Sequence, residues 1–383
     1  MNTLLIKDAH VYAPEDIGIC DVLCFGAHIL EVGTDLWPVG DPAIVQADER
    51  VLVPGLVDNH IHVMGASGGA GPTHRSPEMP LSWMTLAGIT TVVSPLGTDS
   101  LSRSLPALLS RAAALTAEGI SAYAYTGGWR NPFPTLTGDV QTDLAYVDRF
   151  LGVKVALSEA SAPPVSLENL CQLAHAAVVG GGIGGKRCVL HAHIGDLDPG
   201  LSPLQEAIDF SGLPPDRFVA THVNRNPALW EQALDFARAG GQVDLTSQIQ
   251  KDRGYPNAIE PERALLEVFD TDLPHENVSL STDSGGAYPR PGDTRGRYAM
   301  AEPMTLIDSV RAVIRQGVEW PTVLPLVTRN PAERLGLAEK GRIAPGKDAD
   351  LILFNRDHEI DQVWSRGRTV VADGEAVVRS DYE

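Results

Sequence analysis

Residues 51–63 read VLVPGLVDNHIHV, an apolar, strand-like run that ends in two histidines one residue apart, His60 and His62. In an extended strand, positions i and i+2 project to the same face, so both rings can reach one centre. Neutral imidazole is the commonest ligand for divalent metals. Two ordinary strand histidines would look the same, and the rest of the chain decides between the readings.

C-terminal to this run, apolar segments alternate with helical ones, the rhythm of βα units and a parallel sheet. The apolar segments are LVPGLVDNHIHV, GITTVVSPLG, GISAYAYTGG, GVKVAL, CVLHAHIGD, RFVATHVN, GQVDLTS and NVSLSTD. That set predicts an α/β fold, a (β/α)8 TIM barrel, whose usual size is about 250 residues. Residues 1–50 read instead as short strands broken by Gly, Pro and Asp (LLIKDAHVY, DVLCFG, HILEVG, AIVQADE). Strand character returns from Gly341 in GRIAPGKDADLILF, IDQVWSRGR and TVVADGEAVV. The expected organisation is a small β-sandwich-like domain made from 1–50 plus 341–383, around a barrel spanning 51–340. Between the strands, Ser202-Pro203-Leu204-Gln205 reads as a capping box. Asn226-Pro227 opens the following helix and Gly240-Gly241 stops it, and Asn330-Pro331 opens one after the eighth strand.

Composition bounds the function. The 383 residues are 43% hydrophobic and 21% charged, as in a globular protein with a large core. A formal charge of −19 argues against nucleic acid or an anionic membrane as partner, since both require a basic patch. MNTLLIKDAHVY lacks a basic segment followed by an apolar one, and no run reaches transmembrane length. Cys20, Cys24, Cys171 and Cys188 form no CxxC pair, so a reducing, cytoplasmic setting is expected.

Active sites of such barrels lie at the carboxyl ends of the strands. Strand one ends in His60 and His62, strand five in His193, strand six in His222 and strand eight in Asp283, while strand four carries Lys154 within an apolar run. An unpaired ammonium inside a barrel is very costly, so Lys154 must be paired, neutralised or chemically changed. Pairing with a carboxylate such as Asp283 is one answer. The other is reaction with CO2 to a carbamate, an anionic ligand able to bridge two metals. Two metals then account for the ligand count: His60, His62 and Asp283 on one, His193 and His222 on the other, Lys154 between. His191 faces the same side as His193, one layer deeper, and reads as a packed or second-layer histidine.

This pattern resembles the binuclear metal-dependent amidohydrolase superfamily, and GRIAPGKDADLILF is similar to that superfamily's return into its β domain. Within it, AGPTHRSPE, LAGITTVV, LGTDSLSR, EGISAY, GVKVALSE, THVNRNPALWEQALDFARAGG and DLTS are similar to the β-aspartyl (isoaspartyl) dipeptidase group. The resemblance implies two divalent ions, zinc being the expected metal, a carbamate on Lys154, and hydrolysis of a non-standard amide by a metal-bridging hydroxide. It makes Asp283 the catalytic proton acceptor and donor, Arg225 the partner of a substrate carboxylate, and Thr98 a further contact. It also implies a homo-oligomer.

Other positions depart from the group. A glutamate that would hold the substrate's α-ammonium is replaced by Gly69, and a carbonyl-polarising tyrosine by Trp129. A second arginine falls at Ser161 and a serine at Ala287. Arg130, Arg290, Arg295 or Arg297 could line a reshaped pocket, His74 could reach it, and DSGGAYPRPGDTRGRYAM after Asp283 reads as a lid. The expected partner is thus a small amide or dipeptide carrying a carboxylate. The alternative is an amide without a free α-ammonium, such as a hydantoin-like or lactam ring, a dihydroorotase-like substrate, or an N-acyl amino acid. A deaminase fits less well, because those relatives usually hold one metal and omit the strand-four lysine. A non-catalytic scaffold would be expected to lose metal ligands, and none is lost here.

Overall fold

The structure, a computed structural model, describes residues 3–37, 40–67, 69–294 and 296–383. The chain opens with β1 (Thr3–Tyr12), β2 (Asp16–Phe25), β3 (His28–Gly33), β4 (Ala43–Gln46) and β5 (Val51–Pro54). Eight strands of a second sheet follow: β6 (Leu56–Asp58), β7 (Ile89–Ser94), β8 (Ser121–Gly127), β9 (Phe150–Leu157), β10 (Val189–Ile194), β11 (Phe218–Thr221), β12 (Gln242–Thr246) and β13 (Val278–Ser281). A hairpin of β14 (Ala287–Pro289) and β15 (Tyr298–Met300) comes next. The chain ends in β16 (Leu351–Phe354), β17 (Ile360–Ser365), β18 (Arg368–Ala372) and β19 (Glu375–Ala376).

Strands β6 to β13 pair in sequence order, every neighbour parallel, and form the expected barrel. They are buried almost throughout, as strands covered on both faces must be. The terminal strands form a second sheet, nine-stranded among the described residues, ordered β19-β18-β17-β16-β5-β1-β2-β3 with β4 beside β1. It folds back on itself, since Ile29 N and Ala349 N donate to Lys347 O and Ala27 O, both at 2.8 Å. Leu4, Ile6, Val22, Leu52, Leu351 and Trp364 fill its own core.

Residues 51–63 do not form one strand. Val51–Pro54 pair with β1 and β16 in the terminal sheet, whereas Leu56–Asp58 pair with β7 in the barrel. The switch occurs at Gly55, whose N donates to Asp350 O at 2.8 Å while Leu56 N donates to Gly88 O at 3.0 Å. A Cβ on Gly55 would lie 2.2 Å from Thr90 Oγ1, so only glycine passes there. Barrel pairing therefore starts at Leu56, and His60 and His62 lie just past the strand rather than in it.

Two helix starts also differ. The helix Ser202–Ser211 is preceded by Leu201, has no side-chain cap, and Ser202 is already inside it, so the capping box does not form. Leu201 N is instead satisfied by Gln232 Oε1 at 2.8 Å. The last helix spans Arg329–Arg334 and contains Asn330, whose amide donates to His275 O and Val278 O. By contrast, Asn226 caps Pro227–Arg238 through Leu229 N at 2.9 Å, and Gly240 (φ 93°) follows its end. Among the described residues no helix is long and apolar enough to cross a membrane.

Candidate metal centre and active-site cleft

The barrel closes at the seam between its first and last strands, and the seam is where the candidate ligands stand. Asp58, at the end of β6, accepts from Thr282 Oγ1 at 2.5 Å and from Thr282 N at 3.2 Å. Beyond the strands, Asp283 N donates to His60 O at 2.8 Å and His62 N to Ser284 O at 2.7 Å. This zipper brings His60 Nε2 and His62 Nε2 to 3.5 and 3.1 Å from Asp283 Oδ1. The ligand atoms of these three residues all lie within 4.8 Å of one another, a set that could hold a metal ion. Gly285 keeps the turn tight: at φ 85° its Cβ position would sit 2.2 Å from His62 O.

The imidazoles are oriented from behind. His60 Nδ1 lies 2.8 Å from His191 Nε2, and the His191 ring stacks on Tyr125 with centroids 4.6 Å apart. His62 Nδ1 faces Pro95 O at 3.2 Å and His222 Nδ1 faces Thr246 Oγ1 at 2.8 Å. These contacts leave the Nε2 lone pairs pointing inward, the usual arrangement around a metal-binding histidine. Burial holds His60, His191 and His222 well below the usual histidine range and lowers His193 to about 4, so all four rings are neutral at neutral pH. His222 Nε2 is buried without a protein partner. His222 (φ 69°) and Asp283 (φ 57°) both sit in the left-handed region, which non-glycine residues rarely adopt and which collects at functional sites.

Lys154 lies fully buried on β9, in register with His191. Its Nζ is 3.3 Å from His60 Nε2, and among the described residues no carboxylate comes within ion-pair distance of it. The alternative of a Lys154–Asp283 ion pair is therefore not what the structure contains. Burial lowers the amine to about 7, so a large neutral fraction, the form that adds CO2, exists at neutral pH. The imidazoles of His60, His62, His193 and His222, a carboxylate and a convertible amine suit divalent cations of intermediate softness.

The cleft above is lined by His62, Gly69, Thr98, Trp129, Glu159, Ser161, His193, Arg225, Tyr255, Asp283 and Ala287. All the residues singled out for substrate contact thus share one cavity. Arg225 is held over the Tyr255 ring at 5.3 Å and reaches Glu159 Oε2 at 3.4 Å and Asp196 at 3.6 Å. These contacts are long enough for a substrate carboxylate to replace them. Trp129 turns its N–H to Ser161 O and Oγ, 3.3 Å each, and sets its ring edge on His193 at 4.4 Å. In this arrangement it walls the cleft and does not offer its N–H to a carbonyl.

Two cleft residues had no sequence signal beyond their type. Glu159 Oε2 lies 3.2 Å from His193 Nε2, and that hydrogen bond holds its carboxyl well below the usual range. With His193 neutral, Nε2–H donates to the carboxylate and Nδ1 keeps its lone pair. Tyr255 comes from the loop after β12. Arg130 and Arg290 are exposed and outside the cleft, Arg297 borders a neighbouring cavity, and Arg295 lies outside the described residues. The segment after Asp283 is the β14–β15 hairpin.

Comparison with known proteins bears on this site. The amidohydrolase family profile matches residues 256–370. A β-aspartyl dipeptidase from the keratin-degrading thermophile Fervidobacterium islandicum AW-1, solved with β-Asp-Leu, is 33% identical over 100% of both chains with a TM-score of 0.91. The chain belongs to the amidohydrolase family. The dihydropyrimidinase of Brevibacillus agri NCHU1002 (16% identical, TM-score 0.70, covering 98% of this chain and 96% of that one) shares the amidohydrolase barrel. Adenine deaminase 2 of Rhizobium meliloti (strain 1021) is 42% identical over 71 residues, 18% of this amidohydrolase and 12% of that protein. The matched stretch thus spans about an eighth of that relative's length.

Proposed function

We propose that the protein is a metal-dependent hydrolase of a small, carboxylate-bearing amide, of the isoaspartyl dipeptidase kind. The observation that supports this most is the seam: Asp283 within 3.1–3.5 Å of two inward-facing histidines, beside a buried lysine without a carboxylate partner among the described residues. Full-length similarity to a dipeptidase solved with β-Asp-Leu supports the same class. His60, His62 and Asp283 would hold one divalent ion, His193 and His222 a second, and Lys154 as its carbamate would join them. Bound there, such ions polarise a carbonyl and lower the pKa of a water toward neutrality.

The chain's own groups supply the rest. Burial raises Asp283, but its hydrogen bond to His62 and the nearby positive charge outweigh that, so the carboxyl lies below its usual range and is ionised at neutral pH. It can take a proton from the attacking water and pass it to the leaving nitrogen. Arg225 offers a guanidinium fork to the substrate carboxylate. Trp129 and Tyr255 wall that end of the cleft and exclude water.

A second reading, an amide without a free α-ammonium, is favoured by Gly69. That position carries no acid, and the Glu159 carboxylate is already shared by His193 and Arg225. Metal analysis together with turnover of β-Asp-Leu against hydantoins, lactams and N-acyl amino acids tests both. About two metals per chain and hydrolysis of β-Asp-Leu is the expected result. Turnover confined to amine-free amides would replace the dipeptidase reading, and absence of bound metal would remove both.

A further inference from the structure

His193 is held differently from the other candidate ligands. Its Nε2 is one corner of a triangle, with Glu159 Oε2 at 3.2 Å, Arg225 Nη1 at 3.3 Å, and those two atoms 3.4 Å apart. A neutral imidazole carries its proton on one ring nitrogen only, and the group that faces Nε2 decides which. A carboxylate requires Nε2–H and leaves the Nδ1 lone pair for an ion. A guanidinium N–H requires the reverse, a bare Nε2 and a proton on Nδ1. The two neighbours therefore pull the ring proton in opposite directions.

Of the two, the carboxylate is the fixed one. Glu159 Oε1 accepts from Ser161 N at 3.1 Å and from Ser161 Oγ at 2.9 Å. The same hydroxyl lies 3.3 Å from Trp129 Nε1, so it accepts from the indole and donates to the carboxylate. Trp129 and Ser161, two of the positions where the sequence departs from the dipeptidase group, thus converge on Glu159. The backbone is pinned as well. Ser158, at φ 50°, turns the chain after β9, and Gly195 N donates to Leu157 O at 2.9 Å. A Cβ on Gly195 would lie 2.6 Å from Glu159 Cα, so the close approach of the two turns requires glycine. Arg225 is held more loosely: its further contacts are Ile194 O at 3.4 Å, Asp196 at 3.6 Å and the face of Tyr255.

We infer that Glu159 is a positioning residue, whose fixed carboxylate keeps the Arg225 guanidinium from capturing the His193 ring and so presents an unprotonated Nδ1 to the second ion. This rests on the metal-centre reading above and deepens it. Without the carboxylate, the Arg225 N–H that already stands 3.3 Å away donates to Nε2. The ring proton then moves to Nδ1 and blocks the ligand.

The test is a mutant cycle of Glu159→Ala, Arg225→Ala and the double variant, in the full chain as purified and after zinc removal. Nitrogen-15 NMR of histidine-labelled protein locates the ring proton, with the His193 signal assigned by its loss in His193→Gln. Zinc titration gives the affinity for the second equivalent. Glu159→Ala should move the proton from Nε2 to Nδ1 and weaken the second zinc by at least about ten-fold. The double variant should return the proton to Nε2 and the affinity to that of Arg225→Ala, an outcome that a merely structural role for Glu159 would not produce. Should Glu159→Ala fail to fold, Glu159→Gln serves in its place: Ser161 N requires the amide oxygen, which turns the NH2 group on His193 Nε2 and drives the same proton shift. A ring proton that stays on Nε2 without the carboxylate, or a double variant no better than the single one, would overturn the assignment. If the parent protein takes up no zinc, the metal reading fails, and the ring proton in these proteins still upholds or overturns the shielding by Glu159.

Discussion

Thr282 donates through its hydroxyl and its amide to the buried carboxylate of Asp58, at 2.5 and 3.2 Å. Asp58 ends the first barrel strand and Thr282 follows the last, so one side chain ties the barrel shut. The same carboxylate accepts from His60 N at 3.2 Å, which couples barrel closure to the position of the first candidate ligand. Asp58→Ala leaves a buried hydroxyl and two amides without their acceptor. A loss of about 1–3 kcal/mol in stability is expected, together with lower metal content. Thermal unfolding with and without added Zn2+ measures both; unchanged melting and stoichiometry would show that the seam does not depend on this residue.

His191 supports His60 from behind. It contributes Nε2 at 2.8 Å from His60 Nδ1, and its ring is fixed by Tyr125, whose hydroxyl donates to Asn59 O at 3.0 Å. His191→Phe keeps the stacked ring and removes the hydrogen bond. Metal affinity should fall by roughly 10–100-fold with the fold retained, as for other partners of metal-binding histidines. Competition with a chromogenic chelator gives the affinity and circular dichroism reports the fold. An unaltered affinity would mean that His60 is oriented by other contacts.

Lys154 carries the carbamate assignment. Its removal would take away the oxygens that a carbamate would offer to two metals, so Lys154→Ala should lose metal and activity together. Formate, acetate or propionate can occupy the vacated space with a carboxylate and should restore part of both. Activity equal to the parent protein, measured alongside metal content, would refute the carbamate.

The barrel was legible because its strands are apolar runs alternating with helical segments, and because the six candidate ligands stand at strand ends or inside one. The break at Gly55 was not, since VLVP and LVD are equally apolar and the close approach of Gly55 to Thr90, where the chain passes from one sheet to the other, leaves no mark in the hydrophobic pattern. Glu159 and Tyr255 were missed for a related reason: they enter the cleft by the reach of their loops, and loop reach leaves no periodicity. Ser202 and Asn330 carried correct capping chemistry, but the Ser202–Ser211 helix starts one residue too early for Ser202 to cap it, and the Asn330 amide is taken by His275 O and Val278 O. The left-handed backbone of His222 and Asp283 likewise has no signature in residue type.

Lys340 ties the terminal sheet to the barrel. Its Nζ reaches Asp348 Oδ2 at 2.6 Å, Asp350 Oδ2 at 2.7 Å and Ser121 Oγ, on β8, at 2.7 Å, all within a nearly dry site. Burial alone would lower the amine, but Asp350 and Asp348 outweigh it and hold the ammonium above its ordinary value of 10.5. For a cation with a raised pKa the folded state binds the proton more tightly, so its contribution is fully present below the unfolded pKa and is lost as pH rises through the folded one. Stability should therefore be insensitive to this group at pH 7–9 and fall above about pH 10.5. Lys340→Met strands two buried carboxylates and should cost about 3–5 kcal/mol at neutral pH, with the alkaline loss correspondingly smaller than in the parent protein. Denaturant unfolding of both proteins at pH 8 and pH 11 measures the difference. If the parent and the variant lost the same stability between those two pH values, the cluster would not be the source of the alkaline sensitivity.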